Sequence, residues 1–391
     1  MNVVFLTHAF PRHAGDPVGS FVLRLAVLLR DEGIEIRVVA PAAPGVAEHD
    51  TIEGVPVTRF RYAPRSLETL AYTGTMMTQV RESRAALAAL GGLVAADSLA
   101  AYRAIGRHDA ALLHAHWWFP GGFAGSLASR LRGVPQVTTL HGSDIAAARV
   151  NALATRGFRH VMHSATTVTT VSRWLAEEAA TLAPGVQPVV APMPVDPSLF
   201  TAREGPPPRD RLLFVGKLNE QKGIAHLLRA LAVTRAKPRL DIVVGPGSDE
   251  GPMRQLAAQL GVDQRITWHP LMPQAKLAAL YHEVTALVAP MIGEGLGLIA
   301  VEAALCGLPV VAADSGGLRD IVSDGKTGAL VPPADPAALA AALDALLARP
   351  DQGAALGAAG RLHALETWAP RAVAQRYAGI YRDAVERPRR S

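Results

Sequence analysis

Short apolar runs alternate with amphipathic helical patterns along almost the whole chain. In the first half the runs predict strands over residues 3–7, 36–40, 57–61, 111–115, 136–140 and 167–171. The second half begins again, with strands over 211–215, 240–244, 265–268, 286–289, 309–312 and 329–331. Between them the period changes to that of helices. Residues 20–31 put Val22, Leu25, Ala26 and Leu29 on one face, and Gly33 follows as a C-cap. In the alanine-rich stretch 337–348, the spacing of Leu339, Leu343, Leu346 and Leu347 is that of an ordinary packed helix. Strand and helix in alternation argue for a parallel α/β architecture. Residues 190–211 interrupt the pattern with Pro192, Pro194, Pro197 and the run Pro206, Pro207, Pro208. Prolines at that density resist both helix and interior strand, so this stretch reads as a linker. The expected fold is two doubly wound domains of similar size facing across a cleft. Ligands should bind outside the carboxyl ends of the strands.

Composition narrows the class. The 391 residues are 49% hydrophobic and 19% charged, an ordinary globular balance for two domains. The single cysteine, Cys306, sits in an apolar run. It excludes an internal disulfide and a thiolate metal cage and fits a reducing compartment. The chain opens on a strand-like run without the basic and long apolar segments of a signal peptide. No apolar stretch reaches the roughly 18 uncharged residues of a membrane span. A soluble, cytoplasmic protein is expected. The net charge of +5 favours anionic partners. The arginines are scattered, without the basic and aromatic pattern of a nucleic-acid-binding module, so nucleic acid is not an expected partner.

The most informative stretch is residues 293–311, GEGLGLIAVEAALCGLPVV. Glu294 lies in a glycine-rich turn, and Glu302 falls in an apolar run that reads as a short helix. If that helix starts near Leu298, Glu302 lies roughly 6 Å along its axis, at about 1.5 Å per residue. The helix N-terminus then stands between the two carboxylates. Its unpaired N–H groups and dipole make an anion site there, and Gly295 and Gly297 let backbone approach a ligand. This layout suits a nucleotide diphospho-sugar, with phosphates on the amides and hydroxyls on the two acids.

Other motifs follow strands, as the fold requires. Gly216-Lys217-Leu218-Asn219-Glu220-Gln221-Lys222-Gly223 carries two lysines. Alone they would be solvated surface residues. After a strand and between glycines, both can point at one diphosphate. His141, in TLHGSD, either donates to a sugar or phosphate oxygen or bonds within its own loop. His114-Ala-His116 puts two rings on one face of a strand, but no third metal ligand has convincing spacing. Residues 8–21, HAFPRHAGDPVGSF, contain Gly15 and Gly19, which would let the loop lie against phosphates at a helix start. There is no G-x-G-x-x-G fingerprint. Nor is there an Asp-x-Asp pair to hold a cation on a diphosphate.

Together these residues resemble the retaining glycosyltransferases of the large two-Rossmann-domain (GT-B) class, of the glycogen-synthase-like group 1 or family 4 type. Glu294 and Glu302 match its E-x7-E motif, and Lys217 and Lys222 its paired basic residues. TLHGSD matches its histidine loop, and VTTVSRWL the segment after it. APMPVDPSLF is similar to its Pro-Asn-Gly-Val-Asp linker, with Met193 and Pro194 replacing Asn and Gly. The resemblance covers nearly the whole chain in motif order. It implies an acceptor-side domain over residues 1–190 and a donor-binding domain over 191–371. Residues 372–391 would form a C-terminal helix returning to the first domain. It further implies metal-independent transfer of a sugar, with retention, from a nucleotide diphospho-sugar to a hydroxyl acceptor. A lipid-linked or cell-envelope polysaccharide precursor is the expected acceptor class. Glu302 would hold ribose hydroxyls, and Glu294 would bind the sugar and support charge at its anomeric carbon. Lys217, Lys222 and the amides of Gly297, Leu298 and Ile299 would stabilise the departing diphosphate. His141 would orient the sugar, with Gly19 at the donor phosphates.

Two other classes stay open at this stage: an epimerase or phosphorylase on the same fold, and a non-catalytic sugar- or nucleotide-binding subunit. Residues 61–107 contain six arginines against three acids, together with Tyr62, Leu67, Leu70, Tyr72, Met76 and Met77. This segment reads either as peripheral contact with an anionic membrane or as a packed insertion.

Overall fold

A computed structural model describes residues 1–16, 18–73, 76–205, 208–245 and 247–387. Pro206 and Pro207 of the linker, and residues 388–391, lie outside the described residues. The chain divides into two compact units. Unit 1 comprises Met1–Pro194 and Pro370–Ser391, and unit 2 is Val195–Ala369. The sequence placed these boundaries at 190/191 and 371/372.

Unit 1 is built on eight strands: β1 (Asn2–Leu6), β2 (Glu35–Pro41), β3 (His49–Ile52), β4 (Val55–Phe60), β5 (Leu112–His116), β6 (Gln136–Leu140), β7 (Thr167–Thr170) and β8 (Val189–Val190). Their order across the sheet is β3-β4-β2-β1-β5-β6-β7-β8. Every neighbouring pair is parallel except β3 with β4. Helices on both faces bury the central strands, so β5 and β6 are buried at every residue. The helix Ser20–Asp31 buries Val22, Leu25, Ala26 and Leu29, as its pattern predicts. Its C-cap residue is Glu32. Gly33 follows at φ +80°, its N–H on the Arg30 carbonyl. The C-terminal helix Pro370–Glu386 belongs to this unit, although it follows unit 2 in the chain. It packs on Ser20–Asp31 and on β5 and β6 through buried Val373, Tyr377 and Tyr381. The Tyr377 hydroxyl donates to the Ala191 carbonyl at 2.9 Å, tying the helix to the end of the first pass.

Unit 2 has six parallel strands: β9 (Arg211–Gly216), β10 (Arg239–Val244), β11 (Ile266–His269), β12 (Ala286–Ala289), β13 (Val310–Ala313) and β14 (Gly328–Val331). Their order is β11-β10-β9-β12-β13-β14. Chain direction across the sheet reverses between β9 and β12, as it does between β1 and β5 in unit 1. Helices leave opposite faces on either side of such a point, so a crevice opens at the carboxyl ends of those strands. The candidate residues follow these strands.

Part of the segment over residues 61–107 is packed, in line with the second of its two readings. Tyr62 and Leu70 are buried, and the Tyr62 hydroxyl accepts from Leu70 N–H at 3.1 Å. The Tyr72 hydroxyl bonds the Pro41 carbonyl and the Arg59 guanidinium, and Arg61 pairs with buried Glu68 at 2.9 Å. These groups bond one another within the unit, whereas Leu67, Leu87 and Leu99 of the same segment stay exposed. The long helix Arg84–Arg107 packs beside them, turning Ala89, Leu93, Asp97, Ala101 and Ile105 to the core.

Asp97 is an ionisable group among apolar neighbours, with Oδ1 unpartnered, and burial pushes its carboxyl up to about 8. A raised carboxyl makes the folded state hold a proton that the unfolded chain has lost. Its contribution therefore falls as pH rises from the ordinary carboxylate range towards 8. Replacement by the neutral isostere Asp97→Asn removes this dependence. The variant's urea midpoint should exceed the wild type's by a margin that grows between about pH 4 and pH 8, then levels. Parallel curves across that range would contradict the assignment.

Candidate active site

In unit 2 the carboxyl end of β9 runs into Gly216 and Lys217, then a single 3-10 turn, Glu220–Lys222. The Asn219 side chain caps that turn by accepting from Lys222 N–H at 3.0 Å, which sets where the lysine emerges. The Lys222 Nζ then reaches the Glu294 Oε2 at 2.5 Å, with both side chains about four-fifths covered. The loop that carries Glu294 follows β12 and is fastened on both sides. Ile292 N–H donates to the Gln221 carbonyl at 2.8 Å, Gly293 N–H to the Ser315 hydroxyl at 2.9 Å, and Gly317 N–H to the Glu294 carbonyl at 2.8 Å. Gly316, at φ +63°, lies so close that a Cβ there would stand 2.4 Å from the Glu294 carbonyl oxygen and 2.6 Å from its nitrogen. Contact that tight is open only to glycine.

Gly297, at φ +90°, is the N-cap of the helix Leu298–Leu305 and offers no side chain to its first turn. The N–H groups of that turn therefore face outward, with the positive end of the helix dipole behind them. Leu298 and Ile299 are half-buried, and Gly295 is buried behind the loop. Glu302, the fifth residue of the helix, is 7% exposed. Tyr281 donates its hydroxyl to Glu302 Oε2 at 3.1 Å and lies 3.2 Å from the Ile299 carbonyl. Burial, then the Glu302 charge, pushes the Tyr281 phenol well above its ordinary value, so it stays a donor. Lys217 is exposed, and its ammonium has no ion pair among the described residues.

In unit 1 the same corner of the sheet holds His141, at the end of β6. Its backbone N–H donates to Asp144 Oδ2 at 2.7 Å, and the Trp118 backbone N–H donates to Oδ1 of the same carboxylate at 2.9 Å. Asp144 thus ties the loop after β6 to the loop after β5. Burial raises its carboxyl to about 6 against the pull of these backbone donors. His141 Nε2 lies 3.0 Å from His116 Nδ1, and Trp117 and Phe21 pack on the His141 ring at centroid distances of 4.4 and 5.1 Å. Trp117 holds φ +63° and ψ 144°, a region costly for any residue with a Cβ. The strain places its indole between His8 and His141. His114, one pair back along β5, bonds the Tyr381 hydroxyl through Nδ1 and the Thr139 hydroxyl through Nε2, both at 2.6 Å. Both ring nitrogens are thereby engaged. Burial, reinforced by neighbouring imidazoles, holds His114, His116 and His141 well below the ordinary histidine range, and burial alone takes His8 to about 4. All four rings are neutral near pH 7. Among the described residues no group of three or more His, Cys, Asp or Glu side chains is placed to hold a metal.

The structure therefore gathers Lys222, Glu294, Gly295, Gly297, Leu298, Ile299 and Glu302 in one corner of unit 2, with Lys217 at the adjoining strand end. Gly19 is the N-cap of Ser20–Asp31, and Phe21 links that helix start to His141. Sequence reading missed Tyr281, Trp117, His116 as the partner of His141, and the Ser315-Gly316-Gly317 brace. Of these only the brace left a signal, a paired glycine after a strand.

With this geometry in place, comparison with known proteins is informative. Residues 18–199 match the family described as Glycosyltransferase Family 4, and residues 200–363 the one described as Glycosyl transferases group 1. A D-inositol 3-phosphate glycosyltransferase of Arthrobacter sp. is 30% identical over 409 aligned positions, covering 93% of this chain and 90% of that protein. Among solved structures, the sucrose-phosphate synthase of Thermosynechococcus elongatus superimposes with a TM-score of 0.78 at 24% identity, covering 98% of both chains. Anabaena HepE in complex with UDP-glucose gives 0.72 at 19% identity, over 98% of this chain and all of that one.

The brace predicts an order of sensitivity. At Gly297 a Cβ would first meet the movable end of Leu318, at 2.8 Å, whereas at Gly316 it meets Glu294 backbone. Both substitutions strain a left-handed backbone, at about 1–2 kcal/mol. Gly316→Ala should lose clearly more stability than Gly297→Ala in urea titrations, because only there must a fixed loop shift. Equal losses would show that the brace does not hold the Glu294 loop.

Proposed function

The chain belongs to the group 1, family 4 glycosyltransferases, and from that premise we propose that it moves a sugar, with retention and without a metal, from a nucleotide diphospho-sugar to a hydroxyl acceptor. The observation that carries this reading is the Lys222–Glu294 ion pair beside the uncapped start of Leu298–Leu305, with Glu302 buried one turn further on. A diphosphate on the amides of Gly297, Leu298 and Ile299 would meet the dipole end and, within reach of their side chains, the ammoniums of Lys222 and Lys217. Two mobile cations and a helix end supply the charge that a bound cation gives in other sugar transferases. Glu302 would then accept from ribose hydroxyls, its second oxygen held by Tyr281.

Glu294 would face the sugar. As the glycosidic C–O bond stretches, positive charge grows at the anomeric carbon and negative charge on the leaving phosphate. A carboxylate and an ammonium already paired side by side suit both poles of that transition state without reorganising. In the retaining route the acceptor hydroxyl enters on the face the phosphate leaves, and a phosphate oxygen takes its proton. The carboxylates are then not the acid and nucleophile of a glycosidase. His141, neutral and fixed through its loop to Asp144, would give a hydrogen bond to the sugar without adding charge. UDP-glucose in HepE supports a uridine donor as the first to test. The names of the inositol 3-phosphate and sucrose-phosphate enzymes support a phosphate-bearing acceptor or product, which the net positive charge also favours. A lipid-linked form of such an acceptor remains part of the proposal.

Screening UDP-, GDP- and ADP-sugars by thermal shift should single out one base, with stabilisation of about 2.7 kcal/mol at a hundredfold excess over Kd. With that donor, Glu294→Gln and Lys222→Ala should each lower kcat/KM for transfer by roughly 10²- to 10³-fold while both variants stay folded. Full activity in both would remove the assignment. An epimer formed from donor alone would replace transfer with isomerisation.

A further inference from the structure

The helices Arg84–Arg107 and Phe123–Arg132 of unit 1 lie side by side, and the groove between them, about 800 Å³, is walled almost wholly by apolar side chains. Arg84–Arg107 is long and apolar enough by composition to cross a membrane, yet it is a packed element. One stripe, Ala89, Leu93, Asp97, Ala101 and Ile105, enters the core. A second stripe at the same four-residue spacing, Leu87, Gly91, Ala95 and Leu99, faces solvent beside Leu127 and Leu131 of the neighbouring helix. Leu87 is 57% exposed, Leu127 53% and Leu131 66%, where a soluble surface would put polar groups.

The surface charge carried by these two helices has one sign. Arg84, Arg103, Arg107, Arg130 and Arg132 are all exposed, and the only acid on the two helices is Asp97, which is buried. Arg132 is held over the Tyr102 ring, 3.7 Å from its centroid, and donates to the Tyr102 carbonyl at 2.9 Å, so one cation is fixed at the groove's rim. We propose that this face seats the protein on an anionic phospholipid bilayer, the exposed leucines entering the acyl boundary and the arginines meeting lipid phosphates.

Charge complementarity selects this occupant. A second copy docked on the same face would set five arginines against five, with no surface acid on either helix to pair them. An anionic bilayer supplies both requirements at once, an apolar layer and a phosphate plane above it. Both helices begin at the carboxyl edge of the unit 1 sheet, after β4 and β5, the edge that carries His141 and Trp117. The groove therefore runs away from that edge, which would bring lipid headgroups beside it. Delivery of a lipid-linked acceptor there rests on the transfer reading above, whereas bilayer binding itself does not.

The test is co-sedimentation of the full chain with vesicles of phosphatidylglycerol and phosphatidylcholine, against vesicles of phosphatidylcholine alone. Binding should require the anionic lipid and fall with added salt. Leu127→Gln/Leu131→Gln should lower partitioning by roughly tenfold or more, and Arg103→Gln/Arg130→Gln by at least roughly tenfold. Both replace exposed side chains and should keep the wild-type melting temperature and the wild-type rate with a water-soluble acceptor, so loss of transfer and loss of vesicle binding read out separately. The proposal is overturned if the wild type ignores anionic vesicles or if both variants bind as well as the wild type. It is equally overturned if the wild type is a dimer that the leucine variant dissociates, which would make the face a subunit interface.

Discussion

The Lys222 ammonium and the Glu294 carboxylate, 2.5 Å apart, come from loops after different strands, and much of unit 2 serves to hold that contact. Neither residue is stationed by its own helix or strand. Lys222 is set by the Asn219-capped turn after β9, and Glu294 by a loop pinned to Gln221 on one side and to Ser315-Gly316-Gly317 on the other. Parallel pairing of β9, β12 and β13 brings these three loops to one corner. Reversal of the strand order between β9 and β12 opens the space in front of them. With both side chains about four-fifths covered, the pair loses much of its Coulomb gain to desolvation and so contributes little net stability. In the proposed reaction its role is to hold opposite charges side by side where a polar bond would break.

Unit 1 reaches a similar result with uncharged groups. Its crevice also lies where strand order reverses, and its organising group is the Asp144 carboxylate, which accepts backbone donors from the loops after β5 and β6. Around it stand four neutral imidazoles and a strained Trp117. The C-terminal helix supports this corner from behind: Tyr381 holds His114, and Tyr377 holds the chain near Ala191. The returning helix thus buttresses the histidine cluster as well as closing the sheet's face.

Much of this was legible in the sequence because buried parallel strands are apolar at nearly every position, so twelve of the fourteen stood out. The two that did not are β3, polar and exposed along most of an antiparallel edge, and β8, only two residues long. Glu294, Glu302 and their glycines could be found because helix starts and glycine turns act over a few residues. The Lys222–Glu294 contact spans 72 positions, and its direct pairing lay beyond any local pattern. No local pattern singled out Tyr281, and a positive φ at tryptophan leaves no mark in composition. Which apolar groups of unit 1 are covered could not be read locally, for a related reason. Tyr62 and Leu70 were as hydrophobic as Leu127 and Leu131, and only packing shows which pair is covered.

The central claim gives Lys222 and Glu294 different ligands, diphosphate for one and sugar for the other. Calorimetric titration of UDP and of UDP-glucose into wild type and Glu294→Gln separates them directly. If the assignment holds, the variant binds UDP at least as tightly as the wild type, since Lys222 loses its competing partner, and gains nothing further from the glucose. Loss of UDP binding in the variant, or an undiminished gain from glucose, would contradict it.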